Sequence, residues 1–299
     1  MRFVRRERMG PREAGVIRAL RGERKSGFLL RSGRNCNLSC RHCYTDSGPS
    51  KTLVARPETA ALVLKNLKPL AEKGKVGFLG INGGEPMLNP KFVAEVVSMA
   101  NGTFWGMGAE APKAVVVTNG TICNDFILRS LRPLNDRIML FYSHDQFHPK
   151  PARMPEYEKI GIETIERRDD YEIAGIGRGF RLEGDVRWKT SCDAARVRYV
   201  VSGEHVIADK RSMARHIMAI TESGGLHLCD LGGFVFGDLT RQDTFEIAED
   251  LAWSERAMEF VTNGPIGLAA LEGNEREAIE IFLERGSCGV CHALVEGII

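Results

Sequence analysis

Three cysteines lie close together near the start of the sequence, at Cys36, Cys40 and Cys43, in the spacing C-x3-C-x2-C. Zinc sites usually pair a C-x2-C with a second nearby pair of cysteines or histidines, and plant-type ferredoxins use C-x4-C-x2-C. Neither spacing matches this loop. Three thiolates can hold three irons of a 4Fe-4S cube and leave the fourth iron open to bind and react with a small molecule. The triplet therefore predicts a reactive iron–sulfur site on one short loop.

The composition is that of an ordinary globular protein, with 43% hydrophobic and 27% charged residues among 299. No apolar run reaches the length of a membrane span, and the arginine-rich N-terminus lacks the apolar stretch of a signal peptide. Eight cysteines without a secretory signal favour metal ligands in a reducing compartment over disulfides. We therefore expect a cytoplasmic protein with no membrane association.

The charge is unevenly distributed along the chain. Residues 1–25 contain nine Lys or Arg and three Asp or Glu, which gives +6, and the remainder carries −4 because the whole chain is +2. Such a segment can meet a phosphate or an acidic partner, or it can form an amphipathic helix packed on the core through Val16, Ile17 and Leu20. The packed helix is favoured. Phe3 is the only aromatic residue there, so nucleic-acid binding by stacking is not expected.

Short apolar runs alternate with helical stretches from Lys25 to about Arg181, which indicates β/α units on a parallel sheet. Polar or glycine-rich residues follow each run, and barrel-type folds carry their chemistry at that end of the strands. The cysteine loop follows the first run. A long loop or an imperfect helix is expected over 146–170. The predicted strands are Gly27–Arg31, Val76–Ile81, Ala114–Val117, Ile138–Tyr142 and Tyr171–Ile176, and the predicted helices cover 57–70 and 90–99.

The pattern changes after about residue 185, where two hairpins and two helices are predicted and a smaller α+β unit is expected. The hairpins pair 198–201 with 204–208 and 226–228 with 234–236, and the helices cover 243–262 and 273–285. The expected domains are a basic extension at 1–24, an α/β domain at 25–185 and the smaller unit at 186–299.

The cysteine spacing resembles that of the radical S-adenosylmethionine (radical SAM) superfamily. The resemblance implies a partial (β/α)6 TIM-like barrel in which the open iron of a 4Fe-4S cluster binds SAM. Reductive cleavage of SAM then yields methionine and a 5'-deoxyadenosyl radical, which abstracts hydrogen from a substrate. It also implies that Cys36, Cys40 and Cys43 are the cluster ligands. His42 occupies a position where the family usually has an aromatic residue.

Four further segments resemble the SAM-binding motifs of that superfamily. The first, Gly83-Gly84-Glu85-Pro86, resembles its GGEP motif, in which glycines let the backbone approach the amino group of SAM and carbonyls or the acid accept its hydrogen bonds. For Thr118 and Asn119 the alternative is an ordinary turn at the end of a strand. For Arg178 the alternative is a contact with the substrate or with a structural acid. The other matches are Thr118 and Asn119 after the third strand, Ser143 and Asp145 in an S-x-D pattern, and Arg178 between two glycines.

The five remaining cysteines divide into two groups. Cys192, Cys229, Cys288 and Cys291 occur in an order that resembles Twitch, the abbreviated form of the SPASM group of radical SAM enzymes. This resemblance implies four ligands for one auxiliary 4Fe-4S cluster. Three ligands with an open iron, and a structural zinc site, are the alternatives. Cys123 matches neither set and is predicted to be a small buried hydrophobic residue.

The resemblance implies an enzyme that oxidises, or forms a bond in, a small molecule or a peptide, with a flavodoxin or ferredoxin as electron donor. A ribosomal-peptide-crosslinking radical SAM enzyme is the second hypothesis. Only about 25 residues precede the first strand, however, which is too few for the leader-binding domain that such enzymes commonly carry. A non-catalytic iron–sulfur or zinc-binding scaffold is the third hypothesis.

Overall fold

The computed structural model of the chain describes residues 1–5, 14–104, 113–143, 147–167, 181, 191–192, 197–202, 204–210, 216–229 and 234–299. The strands are β1 (Arg2–Val4), β2 (Ser26–Arg31), β3 (Val76–Asn82), β4 (Ala114–Thr118), β5 (Ile138–Ser143), β6 (Glu163–Arg167), β7 (Ser191–Cys192), β8 (Val197–Ser202), β9 (His205–Lys210), β10 (His216–Ile220), β11 (Gly225–His227) and β12 (Val235–Asp238). The helices are α1 (Gly15–Leu20), α2 (Pro57–Glu72), α3 (Pro90–Thr103), α4 (Asp125–Leu131), α5 (Met154–Glu158), α6 (Thr244–Trp253), α7 (Glu255–Leu271) and α8 (Glu275–Val295).

Five parallel strands of the larger sheet, β2 to β6, lie side by side in sequence order, with α2 to α5 in the connections. In register, Leu30 pairs with Ile81, Ile81 with Val116, and Val116 with Leu140, and all four side chains are buried in the main core. This row of apolar residues explains why the strands form, since strands of a parallel sheet are buried on both faces. The α/β fold class and the first four predicted strands are confirmed.

Two further segments of the predicted α/β domain need comment. One differs from the prediction, and the other lies outside the described residues. The expected loop or imperfect helix over 146–170 instead contains α5 and β6. The strand β6 was missed because charged residues interrupt it, and it pairs in parallel with β5 at the edge of the sheet. The predicted strand Tyr171–Ile176 lies outside the described residues.

The larger sheet continues on the other side of β2, where β10 pairs with it in parallel and places Met218 opposite Phe28. The hairpin of β11 and β12 then pairs with β10 in antiparallel orientation. The hairpin at 226–228 and 234–236 is therefore confirmed, whereas β10 was not predicted. The strand order is β12-β11-β10-β2-β3-β4-β5-β6. Residues from the last third of the chain thus pair with the strand that leads into the cysteine loop.

A smaller sheet has the strand order β1-β9-β8-β7. The predicted hairpin at 198–201 and 204–208 is confirmed as β8 and β9, and β1 pairs in parallel with β9 with Phe3 opposite Val206. Phe3, Val206 and Tyr199 belong to a second apolar core that α7 and α8 complete. The pairing of β1 was not predicted, but the packed helix at the N-terminus is confirmed. Val16, Ile17 and Leu20 of α1 are at most 1% exposed.

The C-terminal helices are divided more often than the pattern indicated. The predicted helix over 243–262 is wrong, because α6 ends at Trp253 and Ser254 begins α7 by accepting a hydrogen bond from the backbone of Ala257 at 3.2 Å. Two glycines with left-handed φ then break the helices: Gly264 in α7, at 73°, and Gly286 in α8, at 69°. Over the described ranges, no helix is long and apolar enough to span a bilayer.

The break in α7 is buried, and a tyrosine satisfies its backbone groups. The Tyr199 hydroxyl donates to the carbonyl of Asn263 at 2.6 Å and accepts from the backbone N–H of Ile266 at 3.3 Å. A buried backbone group without a partner costs free energy comparable to a lost hydrogen bond. Tyr199 therefore makes the break tolerable and ties α7 to the smaller sheet.

Candidate active site

The cysteine loop begins where β2 ends, at the carboxyl edge of the parallel strands. It folds back on itself through hydrogen bonds from the backbone of Arg34 to Leu53 at 2.8 Å, from Gly48 to Arg34 at 3.0 Å, and from Cys36 to Gly48 at 3.2 Å. These bonds give the loop a fixed shape although it is not a helix or a strand. Its position agrees with the prediction that the carboxyl edge carries the site.

The sulfurs of the loop accept hydrogen bonds from its own backbone. The N–H of Leu38 lies 3.4 Å from the Cys36 sulfur, and the N–H of Ser47 lies 3.3 Å from the Cys43 sulfur. The third cysteine is tied to the second by a bond from the Cys43 N–H to the Cys40 carbonyl at 3.2 Å. Donors of this kind stabilise metal-bound thiolates, so these two N–H groups suit sulfurs that serve as metal ligands.

Cys36 is the most enclosed of the three, since only 9% of its surface is exposed. Burial raises the pKa of its thiol to about 11, because a thiolate loses hydration inside the protein. A bound metal reverses this preference, since a coordinating thiol is deprotonated outright.

No three of the His, Cys, Asp and Glu side chains that the structure describes are placed to share one metal ion.

The glycine pair that follows β3 packs directly against the cysteine loop. The backbone N–H of Gly84 donates to Gly33 at 2.8 Å and that of Glu85 donates to Asn35 at 2.9 Å. A Cβ atom on Gly84 would lie 1.9 Å from the Asn35 carbonyl oxygen, and Gly83 has a φ of +123°. Both positions therefore require glycine for the contact with the cysteine loop itself, a reason that the sequence did not show.

Glu85 is a buried carboxylate, 1% exposed, that joins two of the predicted segments. It accepts hydrogen bonds from the Thr118 hydroxyl at 2.7 Å, the Asn119 backbone at 2.8 Å and the Met87 backbone at 3.0 Å. Burial raises the pKa of Glu85, and these three donors oppose the rise. The structure thus brings together Glu85, Thr118 and Asn119, which the resemblance assigned to SAM binding.

The Asn119 side chain extends this network to the first cysteine. Its Nδ2 donates to Oδ1 of Asn37 at 2.9 Å and lies 3.8 Å from the Cys36 sulfur. Its Oδ1 accepts from the Thr121 hydroxyl at 2.6 Å, and Thr121 in turn accepts from Asn37. Asn37 and Thr121 were missed by the sequence reasoning. The only signal for Asn37 was an amide directly after a metal-binding cysteine.

Aromatic rings cover the loop near the third cysteine. The His42 ring stacks on Phe147, with 4.6 Å between centroids, and meets the edge of His148 at 4.8 Å. His42 therefore takes part in an aromatic group although it replaces the aromatic residue that is usual in the resembling family.

Asn82, at the end of β3, has an acceptor that faces no donor. Its Nδ2 donates to the Tyr44 hydroxyl at 3.1 Å, but no donor among the described residues reaches its Oδ1. The residue is 3% exposed. Because buried polar atoms are nearly always hydrogen-bonded, this oxygen is an acceptor for a donor outside the described residues, such as water or a ligand.

The remaining predicted site residues are placed as follows. Pro86 is buried at the start of a single helical turn, Pro86–Leu88, and Ser143 is the last residue of β5. Asp145 and Arg178 lie outside the described residues. Cys123 packs against the main core, but it is partly buried rather than buried as predicted.

The second group of cysteines is partly described. Cys288 and Cys291 lie in α8 just after the break at Gly286, and residues three apart share a face of a helix. Cys291 belongs to the main apolar core, and Cys229 packs against the same core. Cys192 is in β7, and its side chain is not described.

Comparison with known proteins identifies the larger unit. Residues 30–172 match the family model of the radical SAM superfamily. This segment, just under half of the chain, is similar to radical SAM domains. Proteins of that superfamily carry a 4Fe-4S cluster and SAM. The match runs from the last two residues of β2 through the cysteine loop to β6, so the similarity that the cysteine spacing indicated is confirmed. A search of curated protein sequences finds no match.

Among solved structures, BtrN shares the fold, and two further structures are similar to a lesser degree. BtrN, in a crystal structure with AdoMet and 2-DOIA, is 16% identical, has a TM-score of 0.54, and covers 81% of this chain and 89% of its own. SuiB of Streptococcus suis bound to S-adenosylmethionine is 11% identical, with a TM-score of 0.49 and coverage of 80% and 68%. Native anSMEcpe with bound AdoMet is 12% identical, with a TM-score of 0.49 and coverage of 81% and 84%.

The site fits a 4Fe-4S cluster and SAM, the cofactors of the superfamily that this segment resembles. Three thiols lie on one loop, and backbone N–H groups donate to two of them. Beside the glycine pair, Oδ1 of Asn82 accepts no hydrogen bond from the described residues. Cys36, Cys40 and Cys43 would hold the cluster, and the segment from Asn82 to Glu85 would line the SAM side of it.

Proposed function

We propose that this protein is a radical SAM enzyme that oxidises, or forms a bond in, a small molecule or a peptide. When bound, the cluster and SAM supply a 5'-deoxyadenosyl radical that abstracts a hydrogen atom from the substrate. The observation that carries the proposal is the direct bonding of the glycine pair to the cysteine loop, from Gly84 to Gly33 and from Glu85 to Asn35. These bonds fix the position of the cysteine loop relative to the segment that is proposed to bind SAM.

The residues of the chain act by holding and orienting. Cys36 is buried, and so are the Thr45 and Ser47 hydroxyls near Cys43. The low dielectric of a buried site strengthens electrostatic contacts with a bound group. Glu85 fixes Asn119, and Asn119 reaches the Cys36 sulfur, so the position of one cluster ligand depends on a buried carboxylate. The open Oδ1 of Asn82 offers an acceptor to an amino group.

Cys192, Cys229, Cys288 and Cys291 are proposed as ligands of an auxiliary 4Fe-4S cluster in a Twitch-like unit. The placement of Cys229 and Cys291 against the same core and the shared helix face of Cys288 and Cys291 support this set. A substrate radical that loses one electron and one proton becomes a carbonyl or another unsaturated product, and these cysteines would hold the acceptor of that electron. On this proposal the enzyme is an oxidoreductase.

A small molecule is the first substrate class to test, because the BtrN structure, which shares the fold, contains 2-DOIA. The electron for SAM cleavage would come from a flavodoxin or ferredoxin in the cytoplasm. His42, Ser143, Asp145 and Arg178 complete the proposed SAM-binding set.

The central test is SAM cleavage by the full chain. Protein reconstituted anaerobically with iron and sulfide and reduced with dithionite is expected to release 5'-deoxyadenosine from SAM, measured by liquid chromatography and mass spectrometry. Cys36→Ala removes one cluster ligand and is expected to abolish the product. Cys123→Ala, a cysteine outside both ligand sets, is the matched control and should retain it. Equal product from the wild type and Cys36→Ala would contradict the proposal.

The auxiliary cluster is tested by iron content. Two cubes require about eight irons per chain. Replacement of both Cys288 and Cys291 by Ala should reduce the iron content to about four per chain. This variant should still release 5'-deoxyadenosine from SAM. Four irons and one zinc in the wild type would show that the second set holds a structural zinc instead.

A further inference from the structure

The third cluster cysteine has a hydroxyl beside its sulfur. Oγ1 of Thr45 lies 3.3 Å from the Cys43 sulfur, 2.7 Å from Oγ of Ser47 and 3.5 Å from the carbonyl oxygen of Gly83. Thr45 is 5% exposed and Ser47 is 1% exposed. The threonine therefore sits between the cysteine loop and the glycine pair, away from bulk water.

The protonation state of the Cys43 sulfur decides whether the sulfur or the Thr45 hydroxyl donates the hydrogen bond between them. A cysteine bound to iron carries no proton on sulfur, so between Thr45 and Cys43 the hydroxyl must be the donor. The Gly83 carbonyl can only accept. Ser47 can donate its own hydroxyl proton to Thr45, which leaves the Thr45 proton for the sulfur and the carbonyl. Within this loop the Cys43 sulfur thus has two donors in reach, the Thr45 hydroxyl and the Ser47 backbone N–H.

We propose that Thr45 is a positioning residue that raises the reduction potential of the SAM-binding cluster through its hydrogen bond to Cys43. The inference rests on the proposed function, because it assumes a cluster on the three cysteines. Reduction by one electron adds negative charge to the cluster and its sulfurs, and a donor at sulfur stabilises that state more than the oxidised one. The bond is buried, where the local dielectric makes it stronger than in water.

The contact with Gly83 gives the hydroxyl a second role. The same proton faces the backbone of the segment that is proposed to bind SAM. Thr45 therefore links the electronic environment of one cluster ligand to that segment without touching substrate.

The test is a potentiometric titration of the anaerobically reconstituted full chain without SAM, followed by the electron paramagnetic resonance signal of the reduced cluster. The signal to follow is the one that Cys36→Ala loses. Thr45→Val keeps the shape of the side chain and removes the hydroxyl. It is expected to lower the ratio of reduced to oxidised cluster at a fixed potential about tenfold, which is about 59 mV for a one-electron couple.

Three variants control the measurement. Thr45→Ser keeps the hydroxyl. Its ratio of reduced to oxidised cluster at the same fixed potential should lie within about a factor of two of the wild-type ratio. Thr52→Val makes the same change at an exposed position of the same loop and should have no effect. Ser47→Ala removes the neighbouring hydroxyl but keeps the backbone donor to Cys43, and should shift the potential less than Thr45→Val does.

The outcomes separate the inference from the proposed function. A Thr45→Val protein that holds the cluster at the wild-type potential overturns the inference alone. A wild type that takes up no cluster overturns the proposed function and the inference with it. Iron content and circular dichroism equal to the wild type, together with a lower potential that Thr45→Ser restores, support the role of the hydroxyl.

Discussion

Gly84→Ala tests the contact on which the site depends. The added Cβ would lie 1.9 Å from the carbonyl oxygen of Asn35 and 2.6 Å from its carbon, and both are backbone atoms that no rotamer change can move. Normal contact between such atoms is about 3.5 Å. The glycine segment and the cysteine loop would therefore have to separate by about 1.5 Å.

The expected cost follows from what that separation breaks. The bonds from Gly84 to Gly33 and from Glu85 to Asn35 are 2.8 and 2.9 Å long, and each is worth about 1 kcal/mol net. Overpacking of a buried contact adds about 1–3 kcal/mol. Gly84→Ala is thus expected to lower the free energy of unfolding by about 4 kcal/mol, a large part of the stability of a typical domain.

The measurement is urea unfolding followed by circular dichroism, together with SAM affinity of the reconstituted protein by equilibrium dialysis. Gly102→Ala is the matched control, because Gly102 is exposed in α3 and a Cβ there would meet no atom within 4 Å. It should leave SAM affinity unchanged and gain up to about 1 kcal/mol of stability. If Gly84→Ala matched the wild type in unfolding midpoint and SAM affinity, the argued fit between the two segments would be refuted.

Three further predictions concern stability and are measured by the same unfolding assay. Burial raises the pKa of Glu85, so its contribution is full below the ordinary value of 4.5 and is lost as pH rises through the raised pKa. The stability of the wild type relative to Glu85→Gln should therefore fall as pH rises above 4.5, and a constant difference would contradict this. Tyr199→Phe removes the hydroxyl that serves Asn263 and Ile266 at the break in α7 and should cost about 1–3 kcal/mol, so an unchanged midpoint would refute the role given to it. Asp243→Ala removes the side chain that caps α6 and should cost about 1 kcal/mol, whereas a cost near zero would show that the capping box is not needed.

The sequence predicted the parallel strands well because their signal is local. Each of β2, β3, β4 and β5 is a short apolar run followed by a turn, and each began and ended within about one residue of its predicted bounds. The strand β10 has an equally apolar sequence, His216–Ile220, but its partner β2 lies far away in the chain. Pairing over such a distance has no local signature, so the extension of the sheet could not be read from the pattern.

The candidate site shows the same division. The motif residues Glu85, Thr118 and Asn119 were identified by resemblance, and the structure brings them together. What the sequence could not show is that Glu85 accepts three hydrogen bonds from the chain itself and that Gly84 is required by Asn35. Thr45 was missed because a threonine after a cysteine is common, and only the turn of the loop brings its hydroxyl to sulfur.

The pairing of β10 with β2 has a consequence for the order of events during synthesis. One edge of β2 can pair with β3 soon after both have left the ribosome, but the other edge stays open until His216–Ile220 have emerged. Closure of such a distant pair is slow, and an open edge during that time can pair with other chains. Completion of the sheet beside the cysteine loop is therefore a late step, after most of the polypeptide has been made. Expression at low temperature with ample iron supply should improve the yield of clustered protein.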